Sequence, residues 1–149
     1  MFKEYGEYDA LGLADLIGTG AVSAREVLDA ALAAANARNP QINALIHRFD
    51  ERAYRQIAQG LPDGPFKGVP FVLKDLLACF AGEPMRMGSR GISVIPDYDS
   101  ELVRRYKASG LNIFAKTNTP EFGLIITTEP KSFGPSHNPH KHGYSTGGS

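Results

Sequence analysis

Val69-Pro70-Phe71-Val72-Leu73 and Leu111-Asn112-Ile113-Phe114-Ala115 are two short, nearly unbroken apolar runs, each followed by a lysine, Lys74 and Lys116. Runs of this length bounded by Gly and Pro read as buried strands. Between them, Glu101 to Ser109 carries Leu102, Val103 and Tyr106 at helical spacing, with Asp99 or Ser100 placed to cap the segment and Gly110 to end it. Strand, helix and strand in that order form a βαβ unit, so the sheet is expected to be at least partly parallel, with a right-handed crossover. Sites in such sheets gather beyond the carboxyl ends of the strands. Lys74 and the segment Lys116-Thr117-Asn118 both fall there.

The rest of the chain supplies the flanking elements. Leu13, Leu16 and Ile17 have helical spacing, and Gly18-Thr19-Gly20 stops that helix. Ser23 and Glu26 form a capping box, after which Val27, Leu28, Ala31 and Leu32 continue a helical period as far as Asn36. Asn39-Pro40 is predicted to end the region, because a residue before proline is pushed out of the α basin. Residues 43–49 read as a short strand, and Asp50 as the cap of a polar helix through Gln59. Gly60 to Pro70 is a connection, Ala81 to Tyr98 a long Gly- and Pro-rich loop, and Thr119 to Ser149 a tail with no long element. The expected organisation is a helical part over residues 1–60, then the start of a sheet and a site over 61–149.

Sixteen Lys and Arg balance sixteen Asp and Glu, so no overall field recruits nucleic acid or an anionic membrane. Residues 1–9 resemble neither a signal nor a transit peptide, and no apolar stretch approaches the ~20 residues that span a bilayer. One cysteine, Cys79, excludes an intrachain disulfide. The expected setting is the cytoplasm.

An amine at the end of an apolar strand is costly to keep charged, so Lys74 is expected either to pair with a carboxylate or to be held near neutrality as a base. The Gly147-Gly148-Ser149 turn presents a hydroxyl on backbone that can approach other groups closely. Other residues have more ordinary readings. Ser145 and Thr146 are loop hydroxyls that satisfy turns, and His137, His140 and His142 lack the spacing of a metal site, so no metal or cofactor is expected. Cys79 reads as a small buried hydrophobe, and Met85 and Met87 as gap-fillers. Thr117, Asn118 and Glu121 read as braces for the Lys74 side of the site more than as substrate contacts.

Gly68-Val69-Pro70-Phe71-Val72-Leu73-Lys74-Asp75, Gly88-Ser89-Arg90, Asp99-Ser100-Glu101-Leu102-Val103-Arg104-Arg105, Lys116-Thr117-Asn118-Thr119-Pro120-Glu121-Phe122-Gly123, Gly134-Pro135, Asn138-Pro139 and Gly147-Gly148-Ser149 follow one another in the order and spacing of the amidase signature family. The resemblance covers essentially the whole chain, and is strongest to bacterial members that open small cyclic or linear amides. It implies an α/β fold, a mixed sheet with flanking helices, of which these residues would be the incomplete N-terminal portion of a single domain. It also implies amide hydrolysis by a Ser-cisSer-Lys triad, with Lys74 as the lysine and Ser149 as the bridging serine.

The family's nucleophile comes from a later D-x-G-G-S segment that residues 1–149 do not contain. The expectation is that this polypeptide is inactive alone and exposes an apolar face and a sheet edge through which it self-associates. The implied partner is a small amide, with no nucleic acid or membrane. The family also includes the glutaminase component of aminoacyl-tRNA amidotransferases, a reading that stays open beside a non-catalytic association module. His140 stands where the family often has an aromatic residue after Asn-Pro.

Overall fold

A computed structural model describes residues 2–141 and 143–148. Its elements run in the order α1 (Ala10–Gly18), α2 (Ala24–Ile42), β1 (Leu45–Arg48), α3 (Asp50–Gln59), β2 (Pro70–Lys74), α4 (Glu101–Ala108) and β3 (Asn112–Thr117). Short 3-10 turns occupy Lys3–Glu7 and Glu121–Gly123.

Local chemistry explains where the helices begin. The Asp9 carboxylate accepts from the Gly12 N–H at 2.8 Å and opens α1. Ahead of α2 the capping box forms reciprocally: Glu26 N–H donates to Ser23 Oγ at 3.2 Å, and Ser23 N–H donates to Glu26 Oε2 at 2.9 Å. Those bonds from Ser23 hold the Glu26 carboxyl below its usual range. Replacing Ser23 with alanine is expected to lower the melting temperature by about 2–4 °C, readable in a thermal melt.

Two boundaries differ from the sequence reading. Helix α2 continues through Pro40 to Ile42. Asn39 makes this workable, because its Oδ1 accepts the Ala44 and Leu45 N–H groups at 2.8 and 2.7 Å, closing the helix end and launching β1. At α3 the cap position is Phe49, without a side-chain bond, and Asp50 lies in the first turn with Glu51, where acids suit the helix dipole.

The sheet has the order β1-β3-β2. Strand β1 runs antiparallel to β3, pairing His47 with Lys116 and Arg48 with Ala115, with a bulge between Leu45 and His47. Between β2 and β3, Gly68 N–H donates to Gly110 O, Asn112 N–H to Val69 O and Asp75 N–H to Thr117 O. The partner numbers rise together, which is parallel pairing. The mixed α/β sheet anticipated from the βαβ pattern is therefore present.

The chain forms two compact units. The first gathers the residues up to Ala37, Phe49–Val72 and Arg104–Phe114; the second gathers Arg38–Arg48, Leu73–Val103 and the chain from Ala115 on. One core cluster of the first is Leu13, Val27, Val69 and Leu111, with Phe66, Phe71 and Tyr106 packed against it. In this unit the Gly60–Pro70 connection lies against the end of α4. Gly110, at φ +87°, would place an added Cβ 2.6 Å from Lys67 Cα, so this contact requires glycine. The second unit buries Leu73, Cys79, Phe80, Val103 and Ala115. Leu102, expected on the buried face of α4, is instead exposed, because the helix buries only the narrow stripe that includes Val103.

Candidate active site

The second unit contains the carboxyl ends of β2 and β3. Side chains along a strand alternate between faces. In β2 this sends Leu73 inward, followed two residues later by Asp75 just past the strand end, both essentially without exposure, while Lys74 between them is only half-buried. Among the described residues, the Lys74 amine has no hydrogen bond or ion pair. Of the two states expected for Lys74, pairing with a carboxylate is not seen among the described residues, and strand alternation leaves the side chain only half-buried.

The buried amine of this region is Lys116. Every residue of β3 from Asn112 to Lys116 is buried, so its lysine has no route to water. Lys116 Nζ pairs with Asp75 Oδ1 at 3.3 Å and donates to the Pro84 carbonyl at 2.8 Å. Burial is the main influence holding the Lys116 amine below the ordinary lysine range, and the Asp75 charge and hydrogen bond oppose it. Asp75 Oδ2 also accepts the Arg86 and Met87 N–H groups, each at 3.1 Å. One carboxylate thus joins the end of β2, the interior of β3 and the Pro84–Met87 backbone.

That backbone then turns sharply. Met87 and Gly88 both have positive φ, +51° and +69°. An added Cβ at Gly88 would meet Thr119 O at 2.7 Å, which explains the glycine. The turn is tied to the tail by Phe122 N–H donating to Met87 O at 2.9 Å and Ser132 Oγ donating to Gly88 O at 2.7 Å. His47, opposite Lys116 on β1, stands edge-on to the Phe133 ring at 5.2 Å. Desolvation is the main cause holding its imidazole below the usual histidine range.

The tail is organised by side chains, as its composition of Gly, Pro, Ser, Thr and Asn requires. Asn118 Nδ2 donates to Gly134 O and Ser136 Oγ, and its Oδ1 accepts the Thr119 N–H, so this side chain braces the tail against the end of β3. Ser136 Oγ donates to Asn43 O at 2.8 Å, and Thr128 Oγ1 donates to Gly147 O at 2.7 Å. Ser145 Oγ accepts the Gly147 N–H, satisfying a turn as expected. Cys79 is buried beside Met85, with Sγ to Sδ at 3.9 Å. Among the described residues no group of three His, Cys, Asp or Glu could hold a metal ion, and no helix is long and apolar enough to cross a membrane. Ser149 and His142 lie outside the described residues.

Two lysines, Lys74 at the end of β2 and Lys116 one residue before the end of β3, therefore stand on neighbouring parallel strands in different states. Lys116 is committed to Asp75 and Pro84. Lys74 is uncommitted among the described residues and stands at the end of β2. The Asp75–Lys116 pair is the element the sequence reading missed. The signal was available, since Lys116 closes an apolar run as Lys74 does.

Comparison with known proteins shows what the chain is similar to. The Amidase family model matches residues 26–149. The chain is 40% identical over 144 residues to the 6-aminohexanoate-cyclic-dimer hydrolase of Paenarthrobacter ureafaciens, covering 95% of this chain and 29% of that protein. It is 39% identical over 140 residues to a glutamyl-tRNA(Gln) amidotransferase component of Salinispora tropica, covering 89% of this chain and 28% of that protein. Among solved structures, that of a 6-aminohexanoate cyclic dimer hydrolase superposes with a TM-score of 0.87 at 39% identity, over 95% of this chain and 30% of that one. The chain thus spans about a third or less of the length of the relatives it matches.

Proposed function

Because this chain belongs to the amidase family, we propose that it is the N-terminal portion of a single amidase domain whose intact form hydrolyses a carboxamide through a serine acyl-enzyme. Lys74 is the ultimate base and Ser149 the relay. In the first half-reaction the neutral Lys74 amine takes a proton from the Ser149 hydroxyl, which takes one from the attacking serine, and the C–O bond forms at the carbonyl. Return of the proton along the same path to the departing nitrogen allows the C–N bond to break. Water then repeats the sequence and releases the carboxylate. No metal or cofactor is required by these steps.

The observation that carries this reading is the contrast between Lys74 and Lys116. Lys116 is buried and paired with Asp75, whereas Lys74 keeps its amine uncommitted among the described residues. Residues 1–149 contain no D-x-G-G-S segment, so this polypeptide by itself is proposed to be inactive. The substrate is proposed to be a small cyclic or linear amide and the setting cytoplasmic.

A glutaminase reading is favoured by one specific observation, the 39% identity to the glutamyl-tRNA(Gln) amidotransferase component. The test is amine or ammonia release by the intact protein from 6-aminohexanoate cyclic dimer, a linear carboxamide and glutamine, assayed in parallel. Turnover of either amide without glutamine turnover supports the hydrolase. Turnover of glutamine alone selects the amidotransferase reading, and turnover of none contradicts both.

A further inference from the structure

The tail residues before Ser149 are held by a contact that neither the family match nor the sequence reading assigns a role. Thr128 is 6% exposed, and its hydroxyl donates to Gly147 O at 2.7 Å. Gly148 follows at φ +150°, and a Cβ built there would lie 2.4 Å from Thr128 Oγ1 and 3.1 Å from Pro120 Cγ. The same threonine is fixed from behind: its carbonyl accepts the Ser136 N–H at 2.8 Å, and Ser136 Oγ is bonded to Asn43 O and to Asn118 Nδ2. Asn118 directly follows β3. A continuous run of hydrogen bonds therefore leads from the carboxyl end of β3, through Ser136 and Thr128, to the Gly147 carbonyl.

We propose that Thr128 is a positioning residue for the relay serine, its hydroxyl fixing the Gly147-Gly148 backbone that immediately precedes Ser149 in the chain. The proposal rests on the reading of Ser149 as the relay. Its physical basis is that a relay hydroxyl works only when held in line between two partners, and a misplacement of about 1 Å costs on the order of a hundredfold in rate. Gly147 and Gly148 have the backbone freedom to reach unusual conformations, and for that reason they need an external contact to select one. A buried hydroxyl donating to the Gly147 carbonyl does this, while the Thr128 and Pro120 atoms around the Gly148 Cα leave no room for a side chain.

The test uses the intact protein with 6-aminohexanoate cyclic dimer and a linear carboxamide as probes, comparing Thr128→Val, Thr128→Ser, Gly148→Ala and Ser149→Ala. Thr128→Val keeps the shape and removes the donor, and is expected to lower kcat by roughly 10- to 100-fold while KM stays within about twofold. Thr128→Ser restores the hydroxyl and is expected to recover kcat to within about threefold of the parent. Gly148→Ala, which crowds the same contact with the hydroxyl intact, is expected to lose kcat like Thr128→Val. A threonine serving only the fold would change the melting temperature and leave kcat per folded molecule unchanged. Parent-level kcat in Thr128→Val overturns the proposal, as does an equal loss in Thr128→Ser. Should Thr128→Val fail to fold, parent-level kcat in Gly148→Ala overturns it. Turnover that survives Ser149→Ala removes the relay reading itself, whereas an inactive Ser149→Ala beside a fully active Thr128→Val removes this proposal alone.

Discussion

Lys116→Ala is expected to destabilise the fold by about 3–5 kcal/mol, the cost of leaving one partner of a buried ion pair uncompensated. Lys116 and Asp75 are both without exposure, and the pair holds more than itself. Removing the amine leaves the Asp75 carboxylate, among the described residues, with the Arg86 and Met87 N–H groups alone, deprives the Pro84 carbonyl of its Lys116 donor, and opens a cavity where the lysine stem lay. In a domain of this size the melting temperature should fall by roughly 10 °C or more. The double variant Lys116→Met with Asp75→Asn removes both charges and keeps most of the volume, so it should recover a large part of the loss. A thermal melt of the three proteins checks this. Equal melting temperatures for Lys116→Ala and the parent would show that the pair contributes nothing, and a double variant as damaged as the single would show that volume or backbone geometry, not the unpaired charge, is the cause.

Lys74→Ala is expected to reduce amide turnover by the intact protein by about 10²–10⁴-fold, the usual contribution of a positioned general base. The expected effect on stability is small, because Lys74 is half-buried and its amine holds no other described residue in place. Lys74→Arg should not rescue, since a guanidinium stays protonated throughout the accessible pH range and cannot accept the relayed proton. The two lysines thus predict opposite profiles, with Lys116→Ala acting on stability and Lys74→Ala acting on kcat with the fold intact. Steady-state kinetics and melts of both variants make the comparison, and an active Lys74→Ala protein would remove the proposed base.

The sequence made the βαβ unit plain because its signals are local and strong. Two apolar runs, the 101–109 period and Gly110 sit at the spacing a parallel pair demands, and β2, α4 and β3 follow within a residue or two. The capping box at Ser23 and Glu26 was legible for the same reason. Pro40 misled because the α2 ending depends on Asn39 capturing two N–H groups five and six residues ahead, a local side-chain cap that a dipeptide rule does not contain. At the site, Lys74 was visible as the end of an apolar run, but which of the two lysines is buried depends on strand alternation and on β3 being covered throughout. The partnership of Asp75 with Lys116 spans 41 residues and no local pattern announces it. The tail was legible only as composition, because its order comes from side-chain bonds such as Asn118 to Ser136 and Thr128 to Gly147.

The most direct measurement is the intact mass of the protein quenched during turnover of a linear carboxamide. A serine acyl-enzyme driven by Lys74 should appear as a protein heavier by the acyl group less one hydrogen, present in the parent and absent from Lys74→Ala. Steady amine release with no such adduct, at a rate the Lys74→Ala substitution leaves unchanged, would contradict the account.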